Sequence, residues 1–75
     1  MGAATMTAQL REITVNGERR QVAAETLARA IDELGYLGLT VATALNGDFV
    51  PAGQRAATVL KGGDRIEIDS ARQGG

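Results

Sequence analysis

The sequence predicts an α+β domain in which a mixed sheet of four to five strands has one main helix packed across it. Two Asn-Gly dipeptides, Asn16-Gly17 and Asn46-Gly47, each separate two short stretches that read as strands, the pattern of β-hairpins. Between the two hairpins lies a stretch with apolar residues at helical spacing. In so short a chain the apolar stripe of this helix must face the sheet to make one core.

Length and composition are those of a single small globular domain. The chain has 75 residues, of which 44% are apolar and 23% charged, and a domain of this size has one core of marginal stability. Eight basic and nine acidic residues nearly cancel, without a cluster of Lys or Arg interleaved with aromatics, so we expect no nucleic-acid partner. No apolar run approaches the ~20 residues that span a bilayer, and a signal-peptide pattern is missing. We therefore expect no membrane partner and a cytoplasmic location.

Side chains that carry chemistry are scarce. The sequence contains no Cys and no His, which excludes disulfides, thiolate nucleophiles and the commonest metal ligands and acid–base groups. We expect a protein that is not itself an enzyme and that binds no metal and no cofactor.

Three segments are predicted along the chain. Residues 1–8 are rich in Ala and Thr without periodicity and are predicted to be a flexible leader. Residues 9–69 form the domain, and residues 70–75 are predicted to be a flexible C-terminal tail that ends in Gly-Gly.

The first hairpin and the helix follow from local pattern. Alternation over residues 10–15 predicts a strand with Ile13 and Val15 on one face, and Asn-Gly then predicts a type I′ turn into a strand at residues 18–22. The helix is predicted from about Thr26, its N-cap, to about residue 34, with Gly35 after its end. Its apolar stripe consists of Leu27, Ala30, Ile31 and Leu34.

The second half repeats the hairpin pattern and adds a last strand. Residues 40–45 and 48–50 are predicted strands around the second Asn-Gly turn, closed by Pro51. Residues 52–58 are predicted to be a loop with one helical turn, and residues 61–64 a tight turn before the last strand at 65–69. This order is that of a ubiquitin-like β-grasp domain, in which the first and last strands are parallel neighbours in the middle. The predicted core is Leu27, Ile31 and Leu34 against Ile13, Val15, Leu45, Ile66 and Ile68.

The chain ends in Gly74-Gly75. Two residues without a Cβ can thread a narrow channel and bring the terminal carboxylate to a reactive site. Taken alone, however, two terminal glycines are more often an ordinary frayed chain end.

Three further residues are candidate partner contacts. Arg72 and Gln73 precede the glycines and could pair with acidic groups or phosphate at the mouth of a channel, although solvated tail residues are the more frequent outcome. Phe49 follows the second turn, where it could anchor a partner interface. A core or half-buried position fits Phe49 equally well.

Several motifs in a fixed order resemble the thiamine-biosynthesis sulfur carrier family (ThiS). They are ITVNGE at residues 13–18, the helix opening at Thr26-Leu27, VATALNGDFVP at 41–51, TVLKGGDRIEI at 58–68 and the terminal Gly-Gly. The resemblance covers about residues 10–75. The chain departs from the family at Ala52 and Arg55, where the family commonly carries Arg and then Trp, and this bears on any partner contact made through that loop.

The resemblance implies a function for the tail. In this family a ThiF-like adenylyltransferase uses ATP to adenylate the terminal glycine, here Gly75, which then becomes a thiocarboxylate with sulfur from a donor such as a cysteine desulfurase. The thiocarboxylate donates its sulfur to thiazole synthase. Gly74 would let the tail thread these enzymes, and the chain would be a protein substrate with no cofactor of its own.

Two kinds of alternative stay open. Other carriers could share the fold, such as the small subunit of molybdopterin synthase, a carrier for cysteine biosynthesis, or a ubiquitin-related modifier. A different class is a non-catalytic interaction module whose sheet face binds a partner without tail chemistry.

Overall fold

The computed structural model describes residues 10–70 of the chain. These residues form five strands, one α-helix and a 3-10 helix: β1 (Arg11–Val15), β2 (Glu18–Val22), α1 (Leu27–Glu33), β3 (Val41–Leu45), β4 (Asp48–Val50), the 3-10 helix (Ala52–Ala57) and β5 (Arg65–Ser70). In this part of the chain no helix has the length and apolarity needed to cross a membrane.

The five strands form one mixed sheet in the order β2-β1-β5-β3-β4. β1 and β5 are parallel and lie next to each other near the centre, whereas the other neighbouring pairs are antiparallel. The predicted β-grasp arrangement is confirmed, with five strands in the sheet.

Both Asn-Gly dipeptides form the predicted hairpin turns. Asn16 and Gly17 have φ values of 51° and 88°, and Asn46 and Gly47 have 52° and 90°. Positive φ at both central residues is the signature of a type I′ turn, which matches the twist of the two strands that it joins. The turns therefore fix the register of the β1–β2 and β3–β4 pairs.

The helix lies within one residue of its predicted bounds. The Thr26 side chain caps it by accepting a hydrogen bond of 3.3 Å from the Arg29 N–H, and Leu34 is the C-cap. The helix buries Leu27, Ala30 and Ile31, while Leu34 is only half-buried at the margin of the core.

The core lies between the helix and one face of the sheet. Of the predicted core residues in the strands, Ile13, Val15, Ile66 and Ile68 are buried, and Leu45 is partly buried. The predicted core and the predicted apolar stripe of the helix leave out four further buried apolar residues, which are Val22, Ala24, Val50 and Leu60. Burial of such side chains stabilises a domain by ~1.5–3 kcal/mol each, so a few of them decide whether a chain of this size folds.

Candidate functional site

The predicted reactive end of the chain lies just beyond the part that the structure describes. Ser70, which the sequence analysis assigns to the tail, is instead the last residue of β5 and is also the last described residue. Arg72, Gln73, Gly74 and Gly75 lie outside the described residues, and their roles stay predictions. The site can therefore be built from the strand that leads to the tail and from the surfaces around it.

β5 is an interior strand of the sheet. Its residues Ile66 and Ile68 are 1% and 6% exposed, and its neighbours are β1 on one side and β3 on the other. Pairing with β3 continues to the end of the strand, where Val41 is opposite Ser70. The point from which the tail starts is therefore fixed by the sheet and the core.

The face of the sheet opposite the helix carries an exposed aromatic residue and, two strands away, acidic side chains. Phe49 on β4 is opposite Ala44 on β3, which is opposite Glu67 on β5. Asp69 follows two residues later on the same face of β5, because side chains alternate along a strand. We call these four residues, Phe49, Ala44, Glu67 and Asp69, the open-face patch.

The sequence allows Phe49 either an exposed or a core position, and in the structure its side chain is exposed. Its side chain is 68% exposed, whereas Val50 beside it is 8% exposed. Only one of two consecutive strand residues can point to the core, and Val50 takes that position. An exposed aromatic ring on the same face as two carboxylates and Arg65 suits a partner surface that is apolar at its centre and charged at its edge.

A second exposed apolar segment lies on the helix side of the domain. Leu37 and Leu39, in the connection between α1 and β3, are 74% and 58% exposed. They line an open groove together with Tyr36 from the same connection and Ala56 from the 3-10 helix. Because this groove also exposes apolar side chains, a substitution in it can serve as a control for a substitution in the open-face patch.

Arg55, one of the two departures from the family pattern, is used within the chain. Its Nε donates a hydrogen bond of 3.0 Å to the Thr43 hydroxyl, and its Nη2 donates one of 2.6 Å to the Val41 carbonyl. The Thr43 hydroxyl in turn donates to the Val50 carbonyl over 2.9 Å. The side chain of Arg55 thus ties the 3-10 helix to β3, whereas Ala52 is exposed at the start of that helix.

Within residues 10–70, the buried polar side chains have structural roles. Every buried side-chain nitrogen or oxygen in this range has a hydrogen-bond partner, and no group of three or more potential metal ligands lies together there.

The structure also shows a role that sequence reasoning missed. The Asn-Gly pattern identifies Asn16 only as a turn residue, but its side chain also makes two hydrogen bonds to the backbone of Ile68 in β5. The two residues are 52 positions apart in the sequence, so no local pattern could have predicted the contact.

Comparison with known proteins gives a matching family and similar solved structures. The model of the ThiS family matches residues 5–75. The crystal structure of a thiamine biosynthesis protein (ThiS) from Geobacter metallireducens is similar with a TM-score of 0.70 and 29% sequence identity, covering 85% of this chain and 99% of the other. A search of curated proteins finds no match.

Proposed function

The chain belongs to the ThiS family, and we propose that it is a sulfur carrier of thiamine biosynthesis that holds its sulfur as a thiocarboxylate on Gly75. The observation that carries this proposal is the family match, which extends through the terminal Gly74-Gly75. The similar structure from Geobacter metallireducens, described as a thiamine biosynthesis protein, supports the pathway.

The proposed chemistry takes place at the terminal carboxyl group. A carboxylate oxygen of Gly75 attacks the α-phosphorus of ATP, a new O–P bond forms and pyrophosphate leaves, which converts a poor acyl donor into an acyl adenylate. A sulfur nucleophile at the oxidation level of sulfide then attacks the carbonyl carbon. The C–O bond to AMP breaks, AMP leaves with the electron pair, and a thiocarboxylate remains. The sulfur thus travels on a carbon atom, and no cysteine is needed in the carrier.

The catalytic groups for these steps belong to partners. A ThiF-like adenylyltransferase supplies the ATP site, and thiazole synthase receives the sulfur. A donor such as a cysteine desulfurase supplies the sulfur as a persulfide, and a thiol reductant supplies the two electrons that bring it to the level of sulfide. This chain contributes the carboxyl group and the means of delivering it, so it is the substrate of enzymes.

Delivery depends on the length and shape of the tail. Five residues follow Ser70, and at ~3.3–3.6 Å per residue an extended chain of that length reaches at most about 18 Å. Gly74, without a Cβ, suits the narrowest part of a channel, while Arg72 and Gln73 could bind carboxylate or phosphate oxygens nearer its mouth.

We propose that the open-face patch contacts the activating enzyme or the synthase while the tail is bound. Glu67 and Asp69 lie in β5 itself, so a partner seated on this face is next to the start of the tail. Phe49 would supply apolar contact area. The charged side chains on this face of β5, Arg65, Glu67 and Asp69, would select a partner with complementary charges.

The first test is activation by a ThiF-like adenylyltransferase. Full-length protein should support ATP–pyrophosphate exchange, and a variant that lacks Gly74 and Gly75 should support none. Because the deletion lies beyond β5, its melting temperature should equal that of the full-length protein. Exchange that survives the deletion would contradict a role of Gly75 as the acyl donor.

A second test separates the pathways. The thiocarboxylate form should support product formation by thiazole synthase, and it should not replace the cognate small subunit when added to the large subunit of molybdopterin synthase. Transfer to molybdopterin synthase alone would favour the alternative carrier. Binding to a partner that is unchanged when the glycines are removed, without any activation, would favour a plain interaction module.

A further inference from the structure

The side chain of Asn16 extends the pairing between β1 and β5 beyond the end of β1. The backbone ladder of this parallel pair runs from Thr14, whose N–H donates to the Asp64 carbonyl over 3.0 Å, to Asn16, whose N–H donates to the Ile66 carbonyl over 2.9 Å. At Asn16 the chain turns into the hairpin, and β5 continues past it.

The carboxamide of Asn16 then makes the next two hydrogen bonds. Its Oδ1 accepts from the Ile68 N–H over 2.8 Å, and its Nδ2 donates to the Ile68 carbonyl over 3.0 Å. A carboxamide has the same donor and acceptor as a peptide unit, so it takes the place of the backbone that β1 no longer supplies. Both contacts are partly buried, which makes them costly to leave unpaired.

We propose that Asn16 is a positioning residue for the C-terminal tail. Its carboxamide holds β5 on the β1 side at Ile68, two residues before the last described residue, while pairing with β3 holds the other side. With both sides held, the tail starts from one place and in one direction, and less conformational freedom is lost when it enters a channel. This inference rests on the proposed function, because it concerns delivery of Gly75.

The second Asn-Gly turn provides a matched control. The Asn46 side chain also makes two hydrogen bonds near β5: Oδ1 accepts from the Arg65 N–H over 2.8 Å, and Nδ2 donates to the Asp64 carboxylate over 3.0 Å. These contacts lie at the start of β5, at the far end of the strand from the tail. The two asparagines thus have the same turn position and the same number of side-chain bonds. They differ in their distance from the tail and in burial, because the contacts of Asn16 are partly buried and those of Asn46 are exposed.

The experiment compares Asn16→Gly with Asn46→Gly. Gly-Gly also forms type I′ turns, so each variant keeps its hairpin and loses two side-chain hydrogen bonds. In activation by the adenylyltransferase, Asn16→Gly should raise the KM for the carrier by about three- to tenfold with kcat nearly unchanged, because the added disorder is lost on binding. Asn46→Gly should leave KM within about twofold of wild type.

Amide hydrogen exchange tests the structural half of the inference without any enzyme. In Asn16→Gly the Ile68 amide should exchange about tenfold faster or more, since it loses its acceptor, while the amides of β2 and α1 change only as much as global stability does. In Asn46→Gly the Ile68 amide should follow global stability alone.

The outcomes distinguish the role of Asn16 from the proposed function of the chain. Equal KM values for the two variants, or an Ile68 amide as protected as in wild type, would overturn the role of Asn16. Wild-type protein that is not activated would overturn the proposed function and the role in tail delivery with it, and exchange at Ile68 would still decide whether Asn16 holds the strand.

Discussion

The two faces of the sheet use their side chains differently. On the face covered by the helix, Ile13, Ile66 and Ile68 are buried and determine stability. On the open face, the same strand β5 carries Arg65, Glu67 and Asp69, which are exposed and alternate with its two buried isoleucines. A single strand therefore has two roles. Its covered face fixes where the tail starts, and its open face is available to a partner. Substitutions on the two faces should have separable effects.

The largest effect is expected from truncation on the covered face. Ile66→Ala should lower the free energy of unfolding by ~2–5 kcal/mol, because it removes buried methyl groups and leaves a cavity. Its neighbour Glu67→Ala is the control and should change stability by about 0.5 kcal/mol or less. Chemical denaturation measures both. Similar losses for the two variants would show that the faces of β5 are assigned wrongly.

Thr43→Val should have the next largest effect. Thr43 is 2% exposed, and its hydroxyl both donates to the Val50 carbonyl and accepts from Arg55. Loss of these bonds should cost ~1–3 kcal/mol, since their partners stay partly buried. Thr14→Val, on the open face of β1, makes the same chemical change at a half-buried site. A Thr43 variant as stable as the Thr14 variant would mean that the hydroxyl network contributes nothing.

Phe49→Ala tests the open face directly. If the open-face patch binds a partner, kcat/KM for activation or for sulfur transfer should fall about tenfold or more, while the free energy of unfolding falls by about 1 kcal/mol or less. Leu37→Ala removes a similarly exposed apolar side chain from the helix side and should leave both rates within about twofold. Equal losses for the two variants would remove the distinction between the surfaces.

The smallest effect is expected from the ion pair on the open face. Arg19 and Glu12 are 3.2 Å apart, with side chains that are 78% and 53% exposed. Glu12→Gln should lower the free energy of unfolding by about 0.5 kcal/mol or less, and the difference should shrink at high salt, because water and ions screen the pair. A loss above about 1 kcal/mol that persists in salt would show that this face does contribute to stability.

Local pattern was sufficient to predict most of the fold. The two Asn-Gly turns, the apolar stripe of the helix and its Thr26 cap depend on residues close together in the sequence, and the structure confirms each of them. The parallel contact between the first and last strands was predicted from the order of the elements, which is that of a β-grasp domain, and the structure confirms it.

What sequence could not predict depends on contacts between distant residues or on strands too short to show alternation. In β4, which has three residues, Phe49 and Val50 are adjacent and both apolar, so periodicity cannot say which one points inward. The hydrogen bonds of Arg55 to β3 and of Asn16 to Ile68 join residues far apart in the chain. The function of the two terminal glycines is predicted through the family resemblance, because a terminal Gly-Gly alone does not indicate one function.

The most direct test of the central claim is to locate the sulfur. After incubation of the full chain with a ThiF-like adenylyltransferase, ATP and a sulfide source, intact-mass measurement should show one oxygen replaced by sulfur. Fragmentation should place that sulfur on Gly75, and protein without Gly74-Gly75 should show no change. Unmodified protein in the presence of an adenylyltransferase that is active on its own carrier, or sulfur on any other residue, would contradict the account.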